Sequence, residues 1–283
     1  MNTILVPTDF SKNAKNALDY AIVLAKKESA KIILVHAFHV LYITPDLPVE
    51  FLADEIDIVE TTANKQLKVL SEKVKSENLE CEIINKQDFI LDLILDVTKI
   101  KKPNLIVMGT KGASGLEEVF MGSNTAKIIE KTKCPVIAVP KKSKFKPIKN
   151  ITYATNYLSS DIDALKKLIE IAKLFNAKIT LVHFTDKDNI QKEEEVHLNK
   201  FITKIRNKIK YDQLEFKLLT GKHFLEELDD YIKKDTTDLL SMSTHYRNIY
   251  DKLFGTSYTK KLAYHTSVPL LAFHYKKESM VFI

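Results

Sequence analysis

The stretch "AKIILVH", residues 30–36, returns as "AKITLVH" at residues 177–183, an offset of 147. The opening "NTILVPTDF" (2–10) returns at the same offset as "KNITYATNY" (149–157). Later in each half the offset is 134: "MGT" (108–110) matches "MST" (242–244). Ser123, Thr125, Lys127, Thr132 and Pro135 recur there as Ser257, Thr259, Lys261, Thr266 and Pro269. A repeat of this length means that one structural unit is written twice. The fall in offset places 13 extra residues in the first half, most economically in "FHVLYITPDLPVEF" (38–51), which reads as a long loop. "KKSKFKPIK" (141–149) has the composition of a linker. Two homologous domains are expected, 1–144 and 145–283.

Each half alternates between two hydrophobic periods. "TILVPT" is a continuous apolar run of strand length, as suits a sheet covered on both faces. After it, Ala14, Ala17, Leu18, Ala21, Ile22, Leu24 and Ala25 recur at helical spacing, with Ser11 placed to cap the helix. Strand "KIILVHAF", a helix over about 55–76, strand "CEIIN", a helix over about 90–101, strand "NLIVMG", a helix from about 123 and strand "PVIAVP" complete the half. Such alternation implies a parallel sheet with right-handed crossovers. The expected fold is α/β: two tandem five-stranded parallel-sheet α/β sandwich domains. The last strands, "PVIAVP" and "PLLAFH", are each expected to end a sheet, and two such edges can cover one another in an intramolecular pseudo-dimer.

Composition narrows the function classes. The formal net charge of +6 invites nucleic acid as a partner, but Arg206 and Arg247 are the only arginines and the lysines are scattered along helix faces. Base-edge and phosphate-fork recognition favours arginine, so a solvated lysine-rich surface is expected instead. No apolar run approaches the ~20 residues of a membrane helix. Cys81 and Cys134 are too few for a disulfide framework. With "TILVPTDF" beginning directly at the N-terminus, a cytoplasmic location is expected.

Four of the six glycines, Gly109, Gly112, Gly115 and Gly122, crowd into "GTKGASGLEEVFMGS" (109–123). This segment leaves the strand "LIVM" and enters the helix beginning at Ser123, so it belongs to the edge of an open α/β sheet where ligands collect. Glycines there let backbone N–H groups approach an anion and allow positive φ. The helix start offers unpaired N–H groups and its positive dipole end. A phosphate chain would suit this arrangement, and turn glycines of a surface loop would account for the glycines alone. Neither a Walker A pattern nor a G-x-G-x-x-G fingerprint is present.

Gly109, Gly112, Gly122 and Ser123 satisfy G-x2-G-x9-G-S, and with "ILVPTDFS", "LVHAF", "LIVMGT" and "CPVIAVP" the chain resembles the nucleotide-binding branch of the universal stress protein family over both halves. The resemblance implies an ATP-binding stress-response sensor or regulator, with AMP or ADP as alternative ligands and Mg2+ accompanying a triphosphate. Homodimers are also implied. Asp9 would sit at the adenosine end, with Pro7 and Thr8 shaping that wall and Val35 meeting adenine through its backbone. Met108 and Gly109 would line the sugar side, and Gly112, Gly122, Ser123, Asn124 and Thr125 would hold the phosphates. Asp9 would equally serve as a cap beside Ser11, and Val35 as core. Asn124 departs from the valine common in the family, and Glu117 and Glu118 would either repel phosphate or help to hold a cation.

The second half departs further: Asn156, Ala154, Ser243, Tyr246 and Thr256 stand for Asp9, Pro7, Gly109, Gly112 and Gly122. Gly255 could restore the turn if the loop slips by one residue. This second site is expected to be empty or to take another ligand. His36 and His39 form an H-x-x-H pair without a third ligand, so no metal site is expected. No nucleophile elbow, carboxylate pair or general base is recognisable. No dedicated enzymatic activity is expected, and any ATP hydrolysis would be slow. The alternatives are a scaffold protein of the same family or a weak ATPase.

Overall fold

The computed structural model describes residues 1–39, 49–110, 122–186, 192–245 and 268–275. Gly112, and in the second half Tyr246, Gly255 and Thr256, lie outside the described residues. The chain divides into two compact units, Met1–Lys141 and Lys142–Ile283.

In the first unit, β1 (Thr3–Pro7), β2 (Lys31–Phe38), β3 (Cys81–Gln87), β4 (Leu105–Gly109) and β5 (Val136–Val139) form a parallel sheet in the order β3-β2-β1-β4-β5. Ile4, Leu5, Val6 and Ile32 through Val35 are at most 2% exposed, as the unbroken apolar runs require of strands covered on both faces. Helices α1 (Lys12–Glu28), α2 (Val49–Ser76), α3 (Ile90–Lys101) and α4 (Ser123–Lys131) make the crossovers. Helix α2 starts at Val49 rather than near 55, so the expected loop from 38 to 51 ends inside a helix. Ser11 caps α1 as expected, its Oγ receiving the Ala14 N–H at 3.1 Å.

The second unit repeats this plan. Its strands β6 (Asn150–Ala154), β7 (Lys178–Asp186), β8 (Leu214–Gly221), β9 (Leu239–His245) and β10 (Leu270–Tyr275) lie in the parallel order β8-β7-β6-β9-β10. Helix α5 (Ser159–Phe175) joins β6 to β7, α6 (Lys192–Lys208) lies between β7 and β8, and α7 (Phe224–Lys234) joins β8 to β9. Leu158 stands at the N-cap of α5, where Ser11 caps α1, and has no oxygen to offer. The carboxylate of Asp161, at the third helical position, instead accepts the Leu158 N–H at 3.1 Å. The two reciprocal bonds of a capping box are thus divided between the units, one in each.

The repeat extends to the backbone. Phe10 and Tyr157 (φ 64° and 62°), Ser29 and Asn176 (51° each), and Lys102 and Thr236 (47° and 49°) are left-handed pairs. The first two pairs are separated by 147 residues and the third by 134, the sequence offsets themselves. Ser29, Asn176 and Lys102 end helices in this conformation, as αL C-caps do. No helix among the described residues is long and apolar enough to cross a membrane.

Candidate functional site

The strand order makes β1 the turning point of the first sheet: the chain runs outward to β2 and β3, then returns to place β4 on the other side of β1. Ligands of open α/β sheets bind in the crevice at such a switch point. Pro7 pairs in register with Val35, while Met108 and Gly109 end the neighbouring strand β4. Thr8 and Asp9 follow β1, and Gly122 is tied back to the end of β4 through Thr110. Of the residues expected to form the site, all but Gly112 therefore lie along one carboxyl edge of the sheet.

Their chemistry at that edge differs from one to the next. The Asp9 carboxylate accepts the Ser11 N–H at 3.0 Å, an Asx turn that leads into α1. Thr8 is buried, and its hydroxyl accepts the Phe10 N–H at 3.1 Å, supporting the left-handed residue there. Val35 is fully buried, and its carbonyl accepts the Thr8 N–H at 2.9 Å. An adenine amino group would thus meet only the second lone pair of that carbonyl.

The glycines have separate reasons. A Cβ on Gly109 would stand 2.7 Å from Nδ2 and 2.8 Å from Cγ of Asn13. The missing side chain makes room for the first turn of α1, a cause internal to the fold. In the second unit the same pair is Ser243 and Ser160, so the strand residue has gained a side chain where the helix residue is shorter. Gly122 has φ −63° and ψ 150°, an extended conformation open to any residue, so the positive φ allowed for in this loop does not occur there. Its N–H donates to the Thr110 carbonyl at 2.6 Å and is already committed.

What Gly122 leaves open is the end of α4. As N-cap it offers no side-chain acceptor, so among the described residues no side-chain cap bond occupies the first-turn N–H groups of Ser123, Asn124 and Thr125. Ser123 and Asn124 are exposed, and α4 has no acidic residue in its first turn to compete for those donors. The Thr125 hydroxyl is 3% exposed with its residue and donates to the Gly109 carbonyl at 3.0 Å, fastening α4 to β4. Only its backbone N–H remains for a ligand.

Sequence patterns pointed to His36 only as half of a metal-binding pair. In the structure its Nδ1 lies 2.8 Å from the Thr8 carbonyl and its ring 4.5 Å from that of Phe10. Because a carbonyl only accepts, Nδ1 carries the proton. His183 repeats this with the Thr155 carbonyl at 2.8 Å and the Tyr157 ring at 4.0 Å. Recurrence of histidine in the repeated heptad was the available signal; its role in bracing the turn after the central strand needed the fold.

A family model described as the universal stress protein family matches residues 1–140. Universal stress protein YxiE of Bacillus subtilis is 30% identical over 145 residues, which are 49% of this chain and 98% of that protein. Universal stress protein MJ0531 of Methanocaldococcus jannaschii is 32% identical over 151 residues, 50% of this chain and 83% of that protein. A solved universal stress protein from Archaeoglobus fulgidus shares the fold across both units, with a TM-score of 0.74 over 96% of this chain and 98% of its own, at 15% identity.

Proposed function

Because the chain belongs to the universal stress protein family, we propose that its first unit binds an adenine nucleotide and that occupancy of this site governs its action in a stress response. The observation that carries this reading is the uncapped N-terminus of α4 beside the crevice between β1 and β4. First-turn N–H groups and the positive end of the helix dipole favour a phosphate there. ATP is the leading ligand, and AMP or ADP would use the same edge.

In this arrangement the adenosine end lies toward Pro7, Thr8, Asp9 and Val35, and the sugar beside Met108 and Gly109. The backbone N–H groups of Ser123, Asn124 and Thr125 take the phosphates, with Gly112 completing the loop. The group fits what the edge offers: donors without a side-chain competitor, and a half-buried carboxylate at the opposite end suited to hydroxyl groups. Mg2+ would arrive on the oxygens of a triphosphate. The proposed setting is cytoplasmic, with a regulatory role and no dedicated catalysis. Pairing of the halves through their closing strands, and self-association of whole chains, belong to the same proposal; light scattering tests the second, and association of the separately expressed halves tests the first.

Denaturing the purified protein and measuring absorbance near 260 nm tests whether nucleotide travels with it. Isothermal titration with MgATP should then give about one site per chain. Failure of both would leave the scaffold function as the better account.

A further inference from the structure

The second unit carries a buried carboxylate where the first carries a methyl group. Asp161 is fully buried and occupies the position of Ala14. One of its oxygens accepts the Tyr153 hydroxyl at 2.8 Å and the Ser243 hydroxyl in a short bond. The other accepts the Thr155 hydroxyl at 2.6 Å and the Leu158 N–H at 3.1 Å. These donors come from β6, the turn after it, the start of α5 and the end of β9, so they converge on the second unit's switch point.

Four donors and no lysine or arginine among these partners is a cradle built for an anion. A carboxylate has about four lone-pair sites, and all are used here. Burying an ion costs several kcal/mol unless such bonds offset it. Burial, and then the charge of Asp161 beside it, pushes the Tyr153 phenol well above its usual range, keeping it a donor at any physiological pH. In the first unit three of the five corresponding positions are Val6, Ala14 and Gly109, which have no side-chain donor or acceptor; Thr8 matches Thr155, and Ser11, which matches Leu158, gives its N–H to Asp9.

We propose that Asp161 is a built-in anion that closes the second unit's switch point to phosphate-bearing ligands and so confines nucleotide to the first unit. In the first unit Thr8 and Gly109, the counterparts of Thr155 and Ser243, lie at the adenosine and sugar end of the proposed nucleotide, so a nucleotide entering the second unit would meet at that end hydroxyls already taken and a negative charge in a medium of low dielectric. The Ser243 side chain also stands where Gly109 has none. Naming the excluded ligand rests on the nucleotide proposal for the first unit; the built-in anion itself does not.

The test uses the full chain. Asp161→Ala leaves the donors converging on a small void, which formate, the smallest carboxylate, can enter. Sodium formate should raise the melting temperature of Asp161→Ala by several degrees over sodium chloride at equal ionic strength, by binding the folded state, and leave the wild type unmoved. Equal effects on both proteins, or none on the variant, would overturn the proposal. If Asp161→Ala does not fold, Asp161→Asn serves: it keeps the shape but turns an amide NH2 toward donors. It should melt well below the wild type and gain nothing from formate, and a melting temperature equal to the wild type would overturn the proposal. Titration of the wild type with MgATP separates the two readings. Two equivalent sites would refute exclusion by Asp161, whereas no site with formate rescue intact would sink only the nucleotide reading.

Discussion

Asn13 on α1 lies so close over Gly109 at the end of β4 that a Cβ on the glycine would also stand 3.2 Å from the Asn13 backbone carbon. The side chain could swing away from such an intrusion, but the helix backbone could not. Gly109→Ala should therefore destabilise the protein by about 1–3 kcal/mol, the usual cost of overpacking. Adding Asn13→Ser should recover part of the loss, since the second unit pairs Ser243 with Ser160. Urea denaturation of the single and double variants measures this, and strict additivity would show that the two residues do not share the space.

Gly122 should behave differently from Gly109. Its φ of −63° suits valine, and its N–H already has a partner in Thr110. Gly122→Val should still fold, with a loss of about 1 kcal/mol because valine is a poorer N-cap residue than glycine. Its branched side chain would shield the first-turn N–H groups of α4 from a phosphate. Loss of about two charge-assisted bonds, at roughly 1.5–3 kcal/mol each, would weaken MgATP at least ~100-fold. Calorimetric titration beside a thermal melt reads both halves of this expectation, and unchanged affinity would move the phosphate site elsewhere.

Ser241 is fully buried on β9, and its hydroxyl has no hydrogen-bond partner among the described residues. The matching residue of the first unit is Val107, also fully buried. An unsatisfied hydroxyl costs about 1–3 kcal/mol. Ser241→Ala should accordingly raise stability by roughly 1 kcal/mol, seen as a higher midpoint in guanidinium at unchanged slope. A lower midpoint would show that the hydroxyl contributes a bond in solution.

Glu82 on β3 receives the ammonium groups of both Lys31 and Lys101 at 2.6 Å. The bond from Lys101, then that from Lys31, holds its carboxyl below the ordinary value of 4.5. A depressed folded-state value stabilises above the unfolded value and is lost as pH falls through the folded one. Solvent reaches both lysines, so each pair contributes less than about 1 kcal/mol. Glu82→Gln should lower stability at neutral pH, and the difference from the wild type should vanish as the solution is acidified below 4.5. Denaturation midpoints across pH report this, and a difference that persists in acid would point to packing instead.

Much of this protein could be read from short-range patterns. The offsets of 147 and 134, the apolar runs of strand length and the helical spacing after Ser11 depend on neighbouring residues and on duplication. They anticipated the strand and helix order, the cap of α1 and the start of α4 at Ser123. What tertiary structure alone decided involves groups distant along the chain. Thr125 and Gly109, Asn13 and Gly109, and Asp161 and Ser243 meet only because a strand returns to the side of the central one. A hydroxyl's partner and the reason for a missing Cβ depend on that return. The glycine-rich loop thus advertised its composition, while packing showed that Gly109 accommodates a helix and Gly122 leaves one uncapped. The carboxylate in the second unit looked in sequence like one more acidic residue near a helix start, because convergence of donors from separate strands has no spacing that a linear pattern can carry.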